Sequence, residues 1–270
     1  IFARNESGIF GLTKPYLVKP LKDLSSSDIS KTKIIYVAIP VVEAIPVAKL
    51  LKQIVPENVK IVWDTPIAER VSESLKILKN HKKFVAEDSS YLPWIELLKS
   101  SVDKNLSKIL FDRGGYKYHA TALAKALYMK IQDQDINKKS EIKKSKNTLS
   151  YKLNDQVRVI IKSPRSYEEG SIKILFDDGS EQILGGNNIN SSIQIIRNEI
   201  GQCCGFSLGS NTHDLSPIET DLIGHVNPKD DIVSLMLKIK KVGLRRLIFD
   251  VFNNHSKLEI REANFDAKLF

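Results

Sequence analysis

Cysteine is almost absent from this chain of 270 residues: there are two, Cys203 and Cys204, and they are neighbours. Adjacent cysteines rarely bridge each other, so a disulfide scaffold is excluded. No metal-ligand spacing accompanies them, which excludes a thiolate metal site as well. A reducing cytoplasm is the simplest home for such a chain. Long apolar runs are lacking too, and none approaches the roughly 18 residues that a membrane span needs. The N-terminus has no basic start, apolar middle and small-residue cleavage site, so no secretory leader is expected. Residue 1 is Ile rather than Met and heads an apolar stretch, IFA, so the chain is expected to start inside a domain.

What is present suits a globular protein. Hydrophobic residues make up 42%, enough to bury a core, and the length allows one large or two ordinary domains. The net charge is +9, much of it in KKSEIKKSK at 138–146. That run reads as a solvated lysine-rich loop near 137–149. A nucleic-acid site would bring interleaved aromatics or a recognisable module, and the segment offers neither.

Along the chain, IIYVAI in 31–40 is a solid β-branched run suited to a parallel strand buried on both faces. EAIPVAKLLKQIV (43–55) has helical spacing, with Ile45, Ala48, Leu51 and Ile54 or Val55 on one face and Pro46 in the first turn. VKIVW (59–63) is a second strand, ERVSESLKILKN (69–80) an amphipathic helix, KKFVAED (82–88) a third strand and LPWIELLKSSV (92–102) a third helix. This alternation predicts parallel strands joined by crossovers, a doubly wound sheet of Rossmann type. Ligands of such sheets bind outside the C-terminal strand ends, here Ile39–Pro40, Asp64–Thr65–Pro66 and Glu87–Asp88–Ser89.

The character then changes. LSKILFDRGG (106–115) is a strand and turn, and YHATALAKALYMKI (118–131) a helix. QVRVIIKS (156–163) alternates, SIKILFDDGSEQIL (171–184) is a hairpin on an Asp-Gly turn, and SIQIIRN and QCCGFSLG add strands. DIVSLMLKIKKV (231–242) reads as a helix. The expected fold class is therefore α/β: a parallel-sheet domain over 1–115, followed over 116–270 by an α+β domain with a mostly antiparallel open sheet.

The order of parts resembles the glucose–fructose oxidoreductase / inositol dehydrogenase / MocA family of NAD(P)-dependent oxidoreductases. In that family one strand ends in Thr-Pro, matched here by Ile39–Pro40, and the next ends in Glu-Lys-Pro, matched by Asp64, Thr65 and Pro66. Acid and proline are kept in type; the lysine beside nicotinamide and substrate is not. The family's helix-borne histidine matches His119, while its aspartate three residues later is Ala122. The first strand and glycine-rich phosphate loop have no counterpart. The residue that would contact the ribose matches Arg4, which is compatible with a 2′-phosphate and so with NADP, and the cofactor the resemblance implies is NADP or NAD.

The resemblance implies an N-terminal dinucleotide-binding domain and a C-terminal substrate and oligomerisation domain. It also implies hydride transfer on a sugar or cyclitol derivative, and homo-oligomers. The departures at Thr65 and Ala122 favour the alternative of an inactive member acting as a binding or structural module. Cofactor contacts are expected at Arg4, Ile39, Pro40, Asp64, Pro66 and Glu87.

The same residues have simpler readings. Thr65 caps a helix and Pro66 suits its first turn. His119 is the candidate general base, since an ordinary histidine titrates near neutral pH. Lys117 or a neighbouring tyrosine, Tyr116 or Tyr118, is the candidate stand-in for the lost lysine, and Thr65 a substrate-orienting hydroxyl. Gly114–Gly115 would let a ligand approach closely. Asp88 and Ser89 read equally as caps and Trp94 as core.

Overall fold

The computed structural model describes residues 2–3, 19–20, 25–30, 32–64, 73, 76–99, 104–136, 138–186 and 191–253. Arg4, Thr65, Pro66 and half of the expected 69–80 helix lie outside them. The chain divides into two compact units, one reaching Val85 and the other beginning at Ala86.

In the first unit, β1 (Phe2–Ala3) pairs in parallel with β2 (Lys19–Pro20). A separate sheet holds β3 (Ile34–Val37), β4 (Lys60–Trp63) and β5 (Lys83–Val85) in that order, all parallel. Central β4 buries Ile61, Val62 and Trp63, which is why its run is continuously apolar instead of alternating. The helix Ala44–Ile54 crosses between β3 and β4 and buries Ala44, Val47, Ala48 and Leu51. The buried stripe is thus rotated one position from the expected one, with Ile45 and Ile54 only half-buried. Pro46 sits in the first turn, where its missing N–H costs nothing. These side chains join Val37, Val55, Ile61, Trp63 and Val85 in one core.

The second unit is built on a six-stranded sheet. Its strands are β6 (Leu106–Asp112), β7 (Lys139–Lys144), β8 (Thr148–Leu153), β9 (Val157–Lys162), β10 (Ser171–Phe176) and β11 (Glu181–Gly185). The order is β11-β10-β6-β9-β8-β7, antiparallel except for the parallel β6–β9 pair. Alternation decides the faces: Leu149, Tyr151, Leu153, Val157, Val159, Ile161, Ile172 and Ile174 all point into one core. The helix Lys117–Gln132 packs on β6 and β9 and buries Leu123, Leu127 and Tyr128 there. The β10–β11 hairpin turns through Asp178–Gly179, with Gly179 at φ 81°.

A three-stranded antiparallel sheet follows, with β12 (Gln194–Arg197), β13 (Cys203–Leu208) and β14 (Asn211–Asp214). The helix Pro217–Ile223 then starts on a capping box of Ser216 and Glu219. Last among the described elements is the helix Met236–Phe252.

Two further expectations change here. Residues 138–146 are not a lysine-rich loop, because β7 occupies 139–144 as an edge strand. Buried Leu149, Tyr151 and Leu153 fix β8, and β8 offers its free edge to the lysine run. Lysines on such an edge discourage pairing with further strands. The expected 231–242 helix begins later, at Met236, and runs to Phe252. Asp231 explains the delay: its Oδ1 accepts from the backbone N–H of Val233 and Ser234 at 2.8 and 2.9 Å, holding a turn ahead of the helix. No described helix is long and apolar enough to cross a membrane.

Candidate functional site

The second unit contains an open cleft of about 290 Å³, adjoining solvent included, whose lining includes Ser89, Gly114, Gly115, His119, Tyr167 and Lys240. Each of these positions follows from local structure. β6 ends at Asp112, and the chain turns through Gly114–Gly115 into the helix that carries His119 in its first turn. A Cβ on Gly114 would stand 2.8 Å from the Ser171 carbonyl oxygen, so only glycine lets the turn lie against β10.

On another side, the helix Met236–Phe252 lies against the Asp88 backbone. Gly243 allows that approach, since a Cβ there would be 3.1 Å from the Asp88 carbonyl oxygen. Lys240 is one turn earlier on the same helical face and so meets the same segment. Its Nζ donates to Asp88 Oδ1 at 2.6 Å and lies 3.5 Å from His119 Nδ1.

The charges fix the protonation states. Burial alone would lower the Lys240 pKa, but the Asp88 and Glu87 carboxyls outweigh it and hold the ammonium above its usual range. His119 moves the other way, down from 6.5 to about 4, through burial first and then the charges of Lys240 and Arg165. An ammonium has no acceptor lone pair, so Nδ1 must be the acceptor and the ring hydrogen resides on Nε2. His119 is therefore a neutral donor at neutral pH, not the base of near-neutral pKa that the sequence suggests.

Beside them, Glu87 is pushed up from 4.5 to about 7, chiefly by burial. Asp88 adds to that rise, while Lys240 and hydrogen bonds from Ser89 oppose it. Glu87 Oε1 accepts from the Ser89 N–H at 3.1 Å and the Ser89 Oγ–H at 2.5 Å. Its Oε2 is buried and finds no hydrogen-bond partner among the described residues. The residue as a whole is half-buried, but its carboxyl end is enclosed, and that end sets its acidity.

Arg165 stands beside Tyr167, which lines the cleft. Its guanidinium carbon stands 4.2 Å from the Tyr116 ring centroid and 4.6 Å from that of Tyr167. The rings of Tyr116 and Tyr118 also flank His119, with centroids at 6.4 and 5.6 Å.

The expected site residues are thus dispersed. His119 lines the cleft and Glu87 stands behind Ser89, which lines it. Lys117, although only two positions from His119, is turned away and donates to the Lys146 carbonyl at 3.4 Å. Ile39, Pro40 and Asp64 belong to the first unit, at the C-terminal ends of β3 and β4. There the Asp64 N–H donates to the Val37 carbonyl at 2.9 Å, and Asp64 Oδ1 accepts from the Tyr36 hydroxyl at 2.8 Å. Ile39 packs on the core while Pro40 is exposed. Lys240, Arg165 and Tyr167 were missed. Lys240 is one of three lysines in LKIKK (237–241), and only its spacing to Gly243 distinguishes it.

No family model matches this chain, and neither does any curated protein. Among solved structures, it is similar to the transcriptional regulator Gal80p from Kluyveromyces lactis at 13% identity and TM-score 0.49, over 93% of this chain and 74% of that one. It is similar to levoglucosan dehydrogenase in complex with NADH and levoglucosan at 10% identity and TM-score 0.48, over 90% and 78%. It is also similar to D-galactose-1-dehydrogenase from Rhizobium etli at 11% identity and TM-score 0.46, over 93% and 84%. Similarity this distant assigns no activity, and the set holds a regulator as well as dehydrogenases.

Proposed function

We propose that this chain is a divergent NAD(P)-dependent oxidoreductase of the glucose–fructose oxidoreductase / inositol dehydrogenase / MocA type, acting on a CH–OH group of a sugar or cyclitol. The observation that carries the reading is Lys240 beside His119 in a cleft, because it returns a cation to a chain whose motif has lost one.

The dinucleotide is assigned to the strand ends of the first unit. Ile39 and Pro40 offer an apolar edge there, and the Asp64 carboxylate, which accepts from Tyr36, lies at the same strand ends. These residues fit the nicotinamide end of such a cofactor, which when bound would supply or accept the hydride.

The chain's own part is proton handling and orientation. Lys240, held charged by Asp88, gives a proton to the substrate oxygen as a carbonyl is reduced. His119 stays neutral and presents its Nε2–H, a second donor where negative charge develops on oxygen. Leu92, Phe111, Leu123 and Met236 form apolar cleft wall that limits water.

Titration of the chain with NADPH and NADH, followed by turnover with a sugar panel, tests this. Binding of a dinucleotide and loss of at least about a hundredfold in kcat on Lys240→Met is expected. Failure to bind either dinucleotide overturns the reading. Ala122 in place of the family aspartate favours a second one, a module that binds without turnover, and dinucleotide binding with no turnover would establish it.

A further inference from the structure

The cations of the second unit are not equivalent. Lys240 is matched by Asp88 at 2.6 Å, Arg113 by Glu169 at 2.6 Å, and Lys162 by Asp112 at 3.5 Å. Among the described residues the Arg165 guanidinium meets no carboxylate and makes no hydrogen bond; its contacts are the two tyrosine rings. Aromatic rings engage the faces of a guanidinium and leave its in-plane N–H groups open. A planar fork held in this way is shaped for the paired oxygens of a carboxylate or phosphate.

Arg165 also lies near the site. Tyr167, one of its two rings, lines the cleft, and the Arg165 charge is one cause of the depressed His119 pKa. Tyr116 is largely exposed, so the fork stands at the solvent side, where a ligand's charged group can reach it without being fully dehydrated.

We propose that the cleft takes a hydroxylated ring bearing an anionic group, a carboxylate or a phosphate, and that Arg165, clamped by Tyr116 and Tyr167, holds that group. The hydroxylated ring rests on the oxidoreductase reading above; the anion does not.

Binding, not turnover, tests it. Calorimetric titrations of the full chain with D-glucuronate, D-glucose 6-phosphate and D-glucose are expected to show one of the anions binding at least about tenfold tighter than glucose, with a preference that shrinks as salt rises. Glucuronate ahead of the phosphate identifies a carboxylate, and the reverse order a phosphate. Arg165→Gln should abolish the preference. Arg165→Lys, which keeps the charge but not the stacked fork, should lose most of it. Equal binding of all three, no binding of either anion, or a preference that stays undiminished in either variant overturns the proposal. A chain that shows the anion preference yet binds neither NADPH nor NADH keeps the role of Arg165 and loses the oxidoreductase reading.

Discussion

Lys240 Nζ and Asp88 Oδ1 lie 2.6 Å apart across 152 positions of sequence. Their side chains are 22% and 6% exposed, so removing either leaves a poorly solvated charge behind. Asp88→Asn and Lys240→Met are each expected to cost about 2–4 kcal/mol, less than a fully buried pair because Lys240 keeps some water. The double variant should cost less than the sum. Urea midpoints of the four proteins measure this coupling, and simple additivity would show that the pair contributes nothing as a pair.

His119 should titrate near pH 4 in ¹H–¹⁵N spectra of the imidazole. Since its folded pKa lies below the ordinary 6.5, the unfolded chain binds the extra proton between the two values. Stability is therefore lost as pH falls through that window and is unaffected above it. Lys240→Met should raise the His119 pKa, because one of the repelling charges is gone. A wild-type His119 titrating near 6.5 would contradict the geometry.

Glu87 behaves oppositely. Its folded pKa is raised from 4.5 to about 7, so between these values the folded state keeps a proton that the unfolded state has released. Stability then falls as pH rises from 4.5 to 7, and the loss is complete above that. Glu87→Gln mimics the protonated carboxyl and keeps an acceptor for Ser89. It should stabilise the protein at pH 8 relative to wild type and leave it unchanged at pH 4. An equal effect at both pH values would place the carboxyl in water.

Gly243→Ala sets helix propensity against packing. Alanine favours an exposed helix by about 1 kcal/mol over glycine. Here its Cβ would lie 3.1 Å from the Asp88 carbonyl oxygen and 3.3 Å from Leu92 Cδ2, so the helix or the Asp88 segment must shift by a few tenths of an ångström. Net destabilisation and a raised His119 pKa, as Lys240 is drawn off the ring, are expected. A higher unfolding midpoint with an unchanged His119 signal would show that the helix rides free of Asp88.

Much of the fold was written locally. The continuous apolar run of β4 read as a buried strand, and the Asp178–Gly179 pair as the turn of a hairpin. The strict alternation of Ile172, Ile174 and Phe176 fixed the buried face of β10. β7 escaped notice because an edge strand buries little and carries no apolar alternation of its own. The delayed start of the last helix escaped because Asp231 satisfies backbone N–H groups of a turn just as readily as those of a helix.

The site divides in the same way. The sequence by itself determined a histidine at the start of a helix behind a Gly-Gly turn, and an acidic segment at the end of β5, because both are made of neighbouring residues. Only the tertiary structure decided that Lys240 and not Lys117 faces His119, that Glu87 is held near neutrality, and that Arg165 lies between two tyrosines. Those outcomes depend on burial and on groups brought together through space, Lys240 and His119 across 121 positions. Electrostatic energy depends on distance through space and on the exclusion of water, and neither quantity is present in the order of residues along a chain.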